Sequence, residues 1–338
     1  MALYRNRLSE SPRRNLGEII PLETPFVVLI DPSSACNLRC KFCPTGFTSL
    51  IKSTGRYHGY MDLSLFKKII DDLEEFTEPI ETIRLYKEGE PLVSPHFCEM
   101  VKYAKQSDKV RKVDTITNGI LLDKPLCDKI VDSGLDQINI SVNGLSEEHY
   151  FKHTGVHFNF QKLVDAVSYL YSIKKDLTIY VKCIRENFTN SELIEFARIF
   201  EPIADYIFIE NMQPNWPNFK IEYINPDYKA GHLGQPLKDR DVCPYIFYSM
   251  VVNADGTVSA CVQDWQHKLI VGDVREQRLI DIWKGLPLLD LQLGHLRKGQ
   301  ACRESCSICP VLRHGCLDDI DAVRHEVEIK LSEKSARF

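Results

Sequence analysis

Between Phe26 and Met212 the chain alternates short runs of β-branched and other apolar residues with longer stretches whose apolar positions recur every three or four residues. The short runs FVVLID (26–31), ETIRLY (81–86), KVDTIT (112–117), DQINISV (136–142), LTIYVKC (177–183) and DYIFIE (205–210) read as buried strands. The intervening SLFKKIIDDLEEF, PHFCEMVKYAKQ, KPLCDKIVDSG, FQKLVDAVSYLYSIKK and NSELIEFARIF have the spacing of helices docked on a sheet. Repeated βα units imply a parallel sheet in an α/β fold, and right-handed crossovers curl six of them into a partial (β/α)6, TIM-like barrel over 26–212. Beyond Met212 the periodicity stops, and residues 213–242, rich in Pro, Asn and Gly, read as a bridging loop at a domain boundary. YSMVVNADGTVSACV then alternates around Asp255-Gly256, the signal of a hairpin with a two-residue loop, and LIDIWKGLPLLDLQLGHLRKG follows as helix. A smaller C-terminal unit over 243–316 is expected, flanked by an N-terminal extension (1–25) and a charged tail helix at the surface (317–338).

The 338 residues carry 42 Lys and Arg against 47 Asp and Glu, a formal charge of -5, with no basic block to grip phosphates, so no nucleic-acid partner is expected. The N-terminus lacks the apolar core of a signal peptide, and no apolar run reaches membrane-spanning length, so no membrane partner and a cytoplasmic location are expected. Twelve cysteines change the picture, because in a reducing compartment they point to metal ligation rather than to disulfides. Three crowd at Cys36, Cys40 and Cys43, six fall between Cys243 and Cys316, and Cys98, Cys127 and Cys183 stand apart.

Cys36, Cys40 and Cys43 follow the first strand, at the C-terminal mouth where parallel α/β folds place their active sites. Spacings of four and three let one loop wrap three thiolates around one inorganic centre. Structural zinc wants a fourth protein ligand, and none lies nearby in sequence. An iron-sulfur cluster held by three cysteines instead leaves one iron open to an external ligand. CxxxCxxC after the first strand of a six-unit βα barrel resembles the radical S-adenosylmethionine (radical SAM) enzymes. Phe42 matches that family's usual aromatic, placed against adenine. Gly89-Glu90-Pro91 is similar to the family's GGEP element, which binds the methionyl amino group, with Glu88 in place of the first Gly. Thr117-Asn118-Gly119 and Ser141-Val142-Asn143-Gly144 resemble the stretches that touch the methionyl carboxylate and the ribose, and Lys152 or His153 stands where a basic residue meets the SAM carboxylate. The resemblance implies a 4Fe-4S cluster that binds SAM, a flavodoxin- or ferredoxin-like electron donor, and reductive cleavage of SAM to methionine and a 5'-deoxyadenosyl radical that abstracts hydrogen from a substrate carbon.

Cys243 and Cys261, with Gly256 between them and four residues separating it from the second, resemble the start of the SPASM/Twitch extensions of that family, which carry auxiliary 4Fe-4S clusters. The later group, Cys302-x3-Cys306-x2-Cys309-x6-Cys316, departs from the full SPASM pattern, and six cysteines fall short of the eight that two fully ligated clusters need. The resemblance implies one auxiliary cluster on Cys243, Cys261, Cys306 and Cys309, with Cys302 and Cys316 as alternative ligands; zinc remains an alternative for four cysteines so spaced.

Cys183 ends the fifth strand, either as a buried small hydrophobe or as a hydrogen-atom donor to a substrate radical. Tyr86, Lys87 and Glu88 are expected near the mouth, and Trp216 and Asp264 at the junction of the two units. By analogy within the family, the function expected is dehydrogenation of a small hydroxylated or amino-sugar-like molecule, with the auxiliary cluster as electron acceptor. The rivals are a ribosomal-peptide maturase or epimerase, disfavoured by an N-terminal extension too short for a recognition domain, and a non-catalytic iron-sulfur redox protein.

Overall fold

The computed structural model describes residues 2–5, 14–221 and 229–335. Its strands are β1 (Leu3–Tyr4), β2 (Val27–Ile30), β3 (Thr82–Leu85), β4 (Val113–Thr117), β5 (Gln137–Val142), β6 (Thr178–Ile184), β7 (Tyr206–Glu210), β8 (Ser249–Val252), β9 (Thr257–Ser259) and β10 (Ile270–Asp273). They form one sheet in the order β1-β7-β6-β5-β4-β3-β2-β8-β9-β10. Pairing is parallel from β1 to β8 and antiparallel beyond it. The run β2 to β7 is the expected six-unit partial barrel, each strand lying beside its successor.

Helix α1 (Leu16–Ile19) precedes β2, while α2 (Thr48–Thr54) and α3 (Leu63–Asp71) connect β2 to β3. The later crossovers are α4 (Phe97–Ala104), α5 (Lys124–Ser133), the pair α6 (Glu147–Thr154) and α7 (Phe160–Ile173), and α8 (Asn190–Phe200). Their starts are written locally: the side chains of Asp62, Asp123, Asn159 and Thr189 each accept from a backbone N–H of the first turn, and Thr189 with Glu192 completes a capping box.

Alternation along the strands divides the sheet into two faces. Val28, Ile30, Ile83, Leu85, Ile138, Ile140, Val142, Ile179, Val181 and Ile207 pack with Phe66, Ile69, Met100, Ile130, Val167 and Phe196 of the helices in one continuous core. Their alternates Asp31, Arg84, Asp114, Asn139, Lys182 and Glu210 fall on the inner face of the curl.

Three features were not readable from periodicity. The two-residue β1 adds to the far edge of the sheet, with Leu3 opposite Tyr206. Strand β8 pairs in parallel with β2, Val27 opposite Ser249, so the C-terminal hairpin continues the barrel sheet. The hairpin loop holds three residues rather than two: Asn253 N–H donates to the Thr257 carbonyl at 2.8 Å, enclosing Ala254, Asp255 and Gly256. Gly256 takes φ of 92°, the left-handed position such a loop requires.

The following helical stretch is split. Strand β10 comes first, then α9 (Leu279–Trp283) and α10 (Leu286–Lys298), broken where Gly285 caps a helix whose second residue is Pro287. Short helices α11 (Glu304–Ser307) and α12 (Val311–His314) carry the late cysteines, and α13 (Arg324–Ser335) docks Val327 and Leu331 into the core. Among the described residues no helix is long and apolar enough to cross a membrane.

Candidate active site

The loop leaving β2 carries Cys36, Cys40 and Cys43, each half-buried. It is held from two sides by backbone hydrogen bonds. Arg39 N–H donates to the Thr154 carbonyl at 2.8 Å and Lys41 N–H to that of His153 at 3.1 Å, at the end of α6. Glu90 N–H donates to the Ala35 carbonyl at 2.9 Å. The neighbouring Gly89 permits no side chain, because a Cβ there would lie 2.2 Å from the Ala35 oxygen and 2.3 Å from that of Ser33.

Burial pushes the Cys36 thiol up to about 12, and burial followed by the charges of Cys43 and Cys36 pushes Cys40 up as well. Thiols so placed stay protonated unless a cation compensates them, which is what cluster iron supplies. The only trio of His, Cys, Asp or Glu ligand atoms within 4.8 Å of one another among the described residues is His295, Cys302 and Cys306. Neither proposed cluster set is gathered that tightly, whereas four sulfurs at the ~2.3 Å Zn–S distance stand roughly 3.8 Å apart. The wider spread suits a polynuclear cluster.

Glu90, Thr117 and Asn118 come together as one buried unit. Thr117 Oγ1 donates to Glu90 Oε1 at 2.5 Å, Asn118 N–H to Oε2 at 2.7 Å and Leu92 N–H to Oε1 at 3.1 Å. Asn118 Nδ2 donates on to Asn37 Oδ1 at 2.8 Å, tying the β4 loop to the cysteine loop. Pro91 is buried beside them, Phe42 is half-buried next to Cys43, and Ser141 lies opposite Lys182 in the β5–β6 register. Lys152 is exposed on α6, whereas His153 beside it is buried.

Cys183 is 2% exposed and belongs to the helix-facing core, with burial the main cause of a thiol shifted far upward. The inner face of the same strand end is Lys182, whose Nζ lies 2.7 Å from Glu210 Oε2; His232 Nε2 lies 3.4 Å from Glu210 Oε1. Burial opposes ionisation of Glu210, but Lys182 and His232 overcome it and hold the carboxyl well below its usual range.

Cys243, Cys261, Cys306 and Cys309 line a single cavity together with Trp265 and His295. Two short links aim the sulfurs: Gln263 N–H donates to Cys261 Sγ at 3.4 Å, and Cys309 N–H to the Cys306 carbonyl at 3.0 Å. Burial, then the neighbouring thiols, raises Cys243 and Cys261. Of the alternative ligands, Cys316 is buried with Val311 and Leu312 against Cys243 and Cys309, and Cys302 lies within 4.8 Å of Cys306 and His295; neither is among the cavity-lining residues.

Sequence reasoning missed a buried polar bridge between the two cysteine sites. Arg56 donates to Thr45 Oγ1 at 2.8 Å, two residues past Cys43, and to the Trp265 carbonyl at 3.0 Å, four past Cys261. Its guanidinium lies 3.4 Å from Glu88 Oε1, which also meets Lys87 Nζ at 2.9 Å and His267 Nε2 at 2.9 Å. His267 reaches it from a left-handed backbone, φ 55°. Burial disfavours the Glu88 charge, yet Lys87, His267 and Arg56 bring its carboxyl down to about 2; burial and then Glu88 push the adjacent Asp31 up to about 7. The one available signal was Glu88 itself, a charge where the resembled motif has Gly. Asp264 is buried and its carboxylate accepts from Lys268 and Leu269 N–H, each at 2.8 Å, so it shapes the Cys261 loop.

Residues 30–200 match the Radical SAM superfamily and residues 243–310 an iron-sulfur cluster-binding domain, SPASM. A Pyrococcus furiosus relative, described as a tungsten-containing aldehyde ferredoxin oxidoreductase cofactor-modifying protein, is 27% identical over 293 residues, 75% of this chain and 79% of that one. The structure of BtrN in complex with AdoMet and 2-DOIA aligns with a TM-score of 0.55 at 16% identity, over 88% of this chain and 97% of BtrN. Streptococcus suis SuiB bound to precursor peptide SuiA aligns with a TM-score of 0.62 at 15% identity, over 92% and 78%. At such identities these structures testify to fold. The cysteine loop at the mouth of a six-unit barrel and the family match over half the chain lead to one conclusion: this chain belongs to the radical SAM superfamily, enzymes that bind 4Fe-4S clusters and S-adenosylmethionine, and it carries a SPASM domain.

Proposed function

We propose that the protein dehydrogenates a small, hydroxylated or amino-sugar-like molecule. Cys36, Cys40 and Cys43 hold the SAM-binding cluster in this reading, and Cys243, Cys261, Cys306 and Cys309 hold one auxiliary cluster. When bound, the two clusters supply the electron that splits SAM to methionine and a 5'-deoxyadenosyl radical, and the acceptor for the electron that leaves the substrate. Phe42, Gly89, Glu90, Pro91, Thr117, Asn118 and Ser141 are the residues assigned to SAM, with Lys152 as a further contact from α6. A flavodoxin- or ferredoxin-like protein is the proposed electron donor.

The observation that carries the substrate class is the inner face of the sheet, which presents Asp31, Arg84, Asp114, Asn139, Lys182 and Glu210. Such a wall binds hydroxyl and amino groups and rejects an apolar guest. Oxidation of an alcohol also needs a proton acceptor, and Asp31, whose Oδ2 is buried without a hydrogen-bond partner among the described residues, is a carboxylate at a strand end of that wall. The epimerase reading gains no support from Cys183, because its thiol lies on the opposite face of β6.

The test is anaerobic reconstitution with iron and sulfide, followed by SAM, a strong reductant and a panel of polyols and amino sugars. 5'-Deoxyadenosine from the intact chain but not from the Cys36/Cys40/Cys43→Ala variant establishes radical chemistry. A product that has lost two hydrogens supports dehydrogenation; deuterium uptake from heavy water with no mass loss overturns it in favour of epimerisation. Turnover of a peptide but of no small polyol overturns the substrate class.

A further inference from the structure

His295 is one of the few fully buried histidines, 1% exposed on α10, and its ring lines the cavity shared by Cys243, Cys261, Cys306 and Cys309. Its two nitrogens are in different situations. Nδ1 accepts from the Cys243 backbone N–H at 3.4 Å, and a backbone amide can only donate, so Nδ1 offers its lone pair. The proton of the neutral ring therefore sits on Nε2. That nitrogen is buried and has no hydrogen-bond partner among the described residues. One ring nitrogen, Cys302 Sγ and Cys306 Sγ all lie within 4.8 Å of one another.

A buried N–H with no acceptor is costly, and sulfur is the acceptor grouped with this ring. We propose that His295 donates its Nε2–H to a sulfur of the auxiliary cluster, at or beside Cys306, and so sets the reduction potential of that cluster. This inference rests on the auxiliary-cluster ligand set proposed above. The same tautomer argument sets His295 apart from a metal ligand, since iron on Nε2 would need that nitrogen deprotonated while Nδ1 is already an acceptor. A histidine that ligates normally donates its other nitrogen's proton to a carbonyl or carboxylate, the reverse of what Nδ1 does here.

The chemistry gives the sign. Reduction adds negative charge to the cluster, a hydrogen bond to sulfur stabilises the more negative form, and the donor therefore raises the potential. A higher potential makes the cluster a better acceptor of an electron from a substrate. His295 is thus a positioning and tuning residue, with no contact to substrate required of it.

The test uses the full chain with Cys36, Cys40 and Cys43 replaced by Ala, so that only the auxiliary cluster reports. Iron and sulfide content is measured first, and the midpoint potential is then read by EPR-monitored titration for His295, His295→Leu and His295→Gln in that background. A chain that takes up no cluster before His295 is touched overturns the auxiliary-cluster reading itself. With cluster content equal across the three, the expected result is a more negative potential for His295→Leu and its return toward the parent in His295→Gln, whose amide again offers an N–H. An unchanged potential in His295→Leu overturns the proposal, as does an equal shift in both variants. Loss of cluster iron in both, with the far-ultraviolet circular dichroism intact, overturns it in favour of ligation by His295.

Discussion

Gly89 shows how little freedom a single position of the loop after β3 has. Two carbonyl oxygens approach the place of its absent Cβ at 2.2 and 2.3 Å, both from the loop that carries Cys36. Gly89→Ala must therefore push two backbones apart, and we expect a loss of about 1–3 kcal/mol by urea unfolding together with reduced iron uptake at the first cysteine site. Its neighbours predict a pH effect. Asp31 is raised to about 7 from its ordinary 3.8, chiefly by burial, so between those values the folded chain holds a proton that the unfolded chain has released. Stability from this group is full below the lower value and falls as pH rises through the window. Asp31→Asn keeps the neutral shape and removes the titration, so its melting temperature is expected to gain on the parent at pH 8 relative to pH 5. Glu88 runs the other way: its lowered carboxyl stabilises above pH 4.5 and the benefit fades as pH falls toward 2. Equal pH profiles for Asp31→Asn and the parent would contradict the assignment.

At the scale of elements, the C-terminal hairpin tests what a turn demands. Gly256 closes the three-residue loop at φ 92°, where an L side chain is strained, and a Cβ there would stand 3.0 Å from Arg275 and 3.1 Å from Leu65. Gly256→Ala is expected to cost about 1–2 kcal/mol by chemical unfolding, and Gly256→Asn less, because Asn tolerates the left-handed region. Thr189→Ala, which removes the capping box of α8, should cost about 1 kcal/mol and leave cluster content unchanged. These elements also show what the chain declared in advance. All six barrel strands were legible because each is a β-branched run buried on its helix side, and the cysteine loop was legible because ligand spacing is local. Strand β1 was not, since two residues make no pattern, and neither was the pairing of β8 with β2, since a partner across 222 residues leaves no local mark in Val27 or Ser249. The break between α9 and α10 was written as Gly285 and Pro287 but hidden by an apolar stripe that runs through both. Arg56 and His267 were invisible because a bridge of single residues from distant loops has no spacing at all.

The whole molecule is joined at two levels, and the joint predicts how it comes apart. The SPASM hairpin continues the barrel sheet through four paired positions, Val27–Ile30 against Ser249–Val252, and its cysteine loop is fastened to the Cys36–Cys43 loop through Arg56 and Glu88. Two units that share a sheet and a buried ion network should unfold as one. Thermal or urea unfolding followed by circular dichroism and by cluster absorbance is therefore expected to give coincident transitions, whereas two separate transitions would show that the joint carries little energy. Arg56 is the place to weaken it. Replacing it by Leu leaves Thr45 Oγ1 and the Trp265 carbonyl without their donor and Glu88 with one fewer cation, a loss of about 1–3 kcal/mol for buried groups left unmatched. Glu88→Gln alone strands the opposite charges, and the double variant removes both sides. The double variant is expected to lose less than the sum of the two single variants, by a similar amount, because the two side chains are in direct contact. If the network fastens one cysteine loop to the other, Arg56→Leu will also lower iron content at both cysteine sites, although its hydrogen bonds go to Thr45 and Trp265 and not to the cysteines themselves; confinement of the loss to Cys36, Cys40 and Cys43 would make Arg56 a support for the first loop alone.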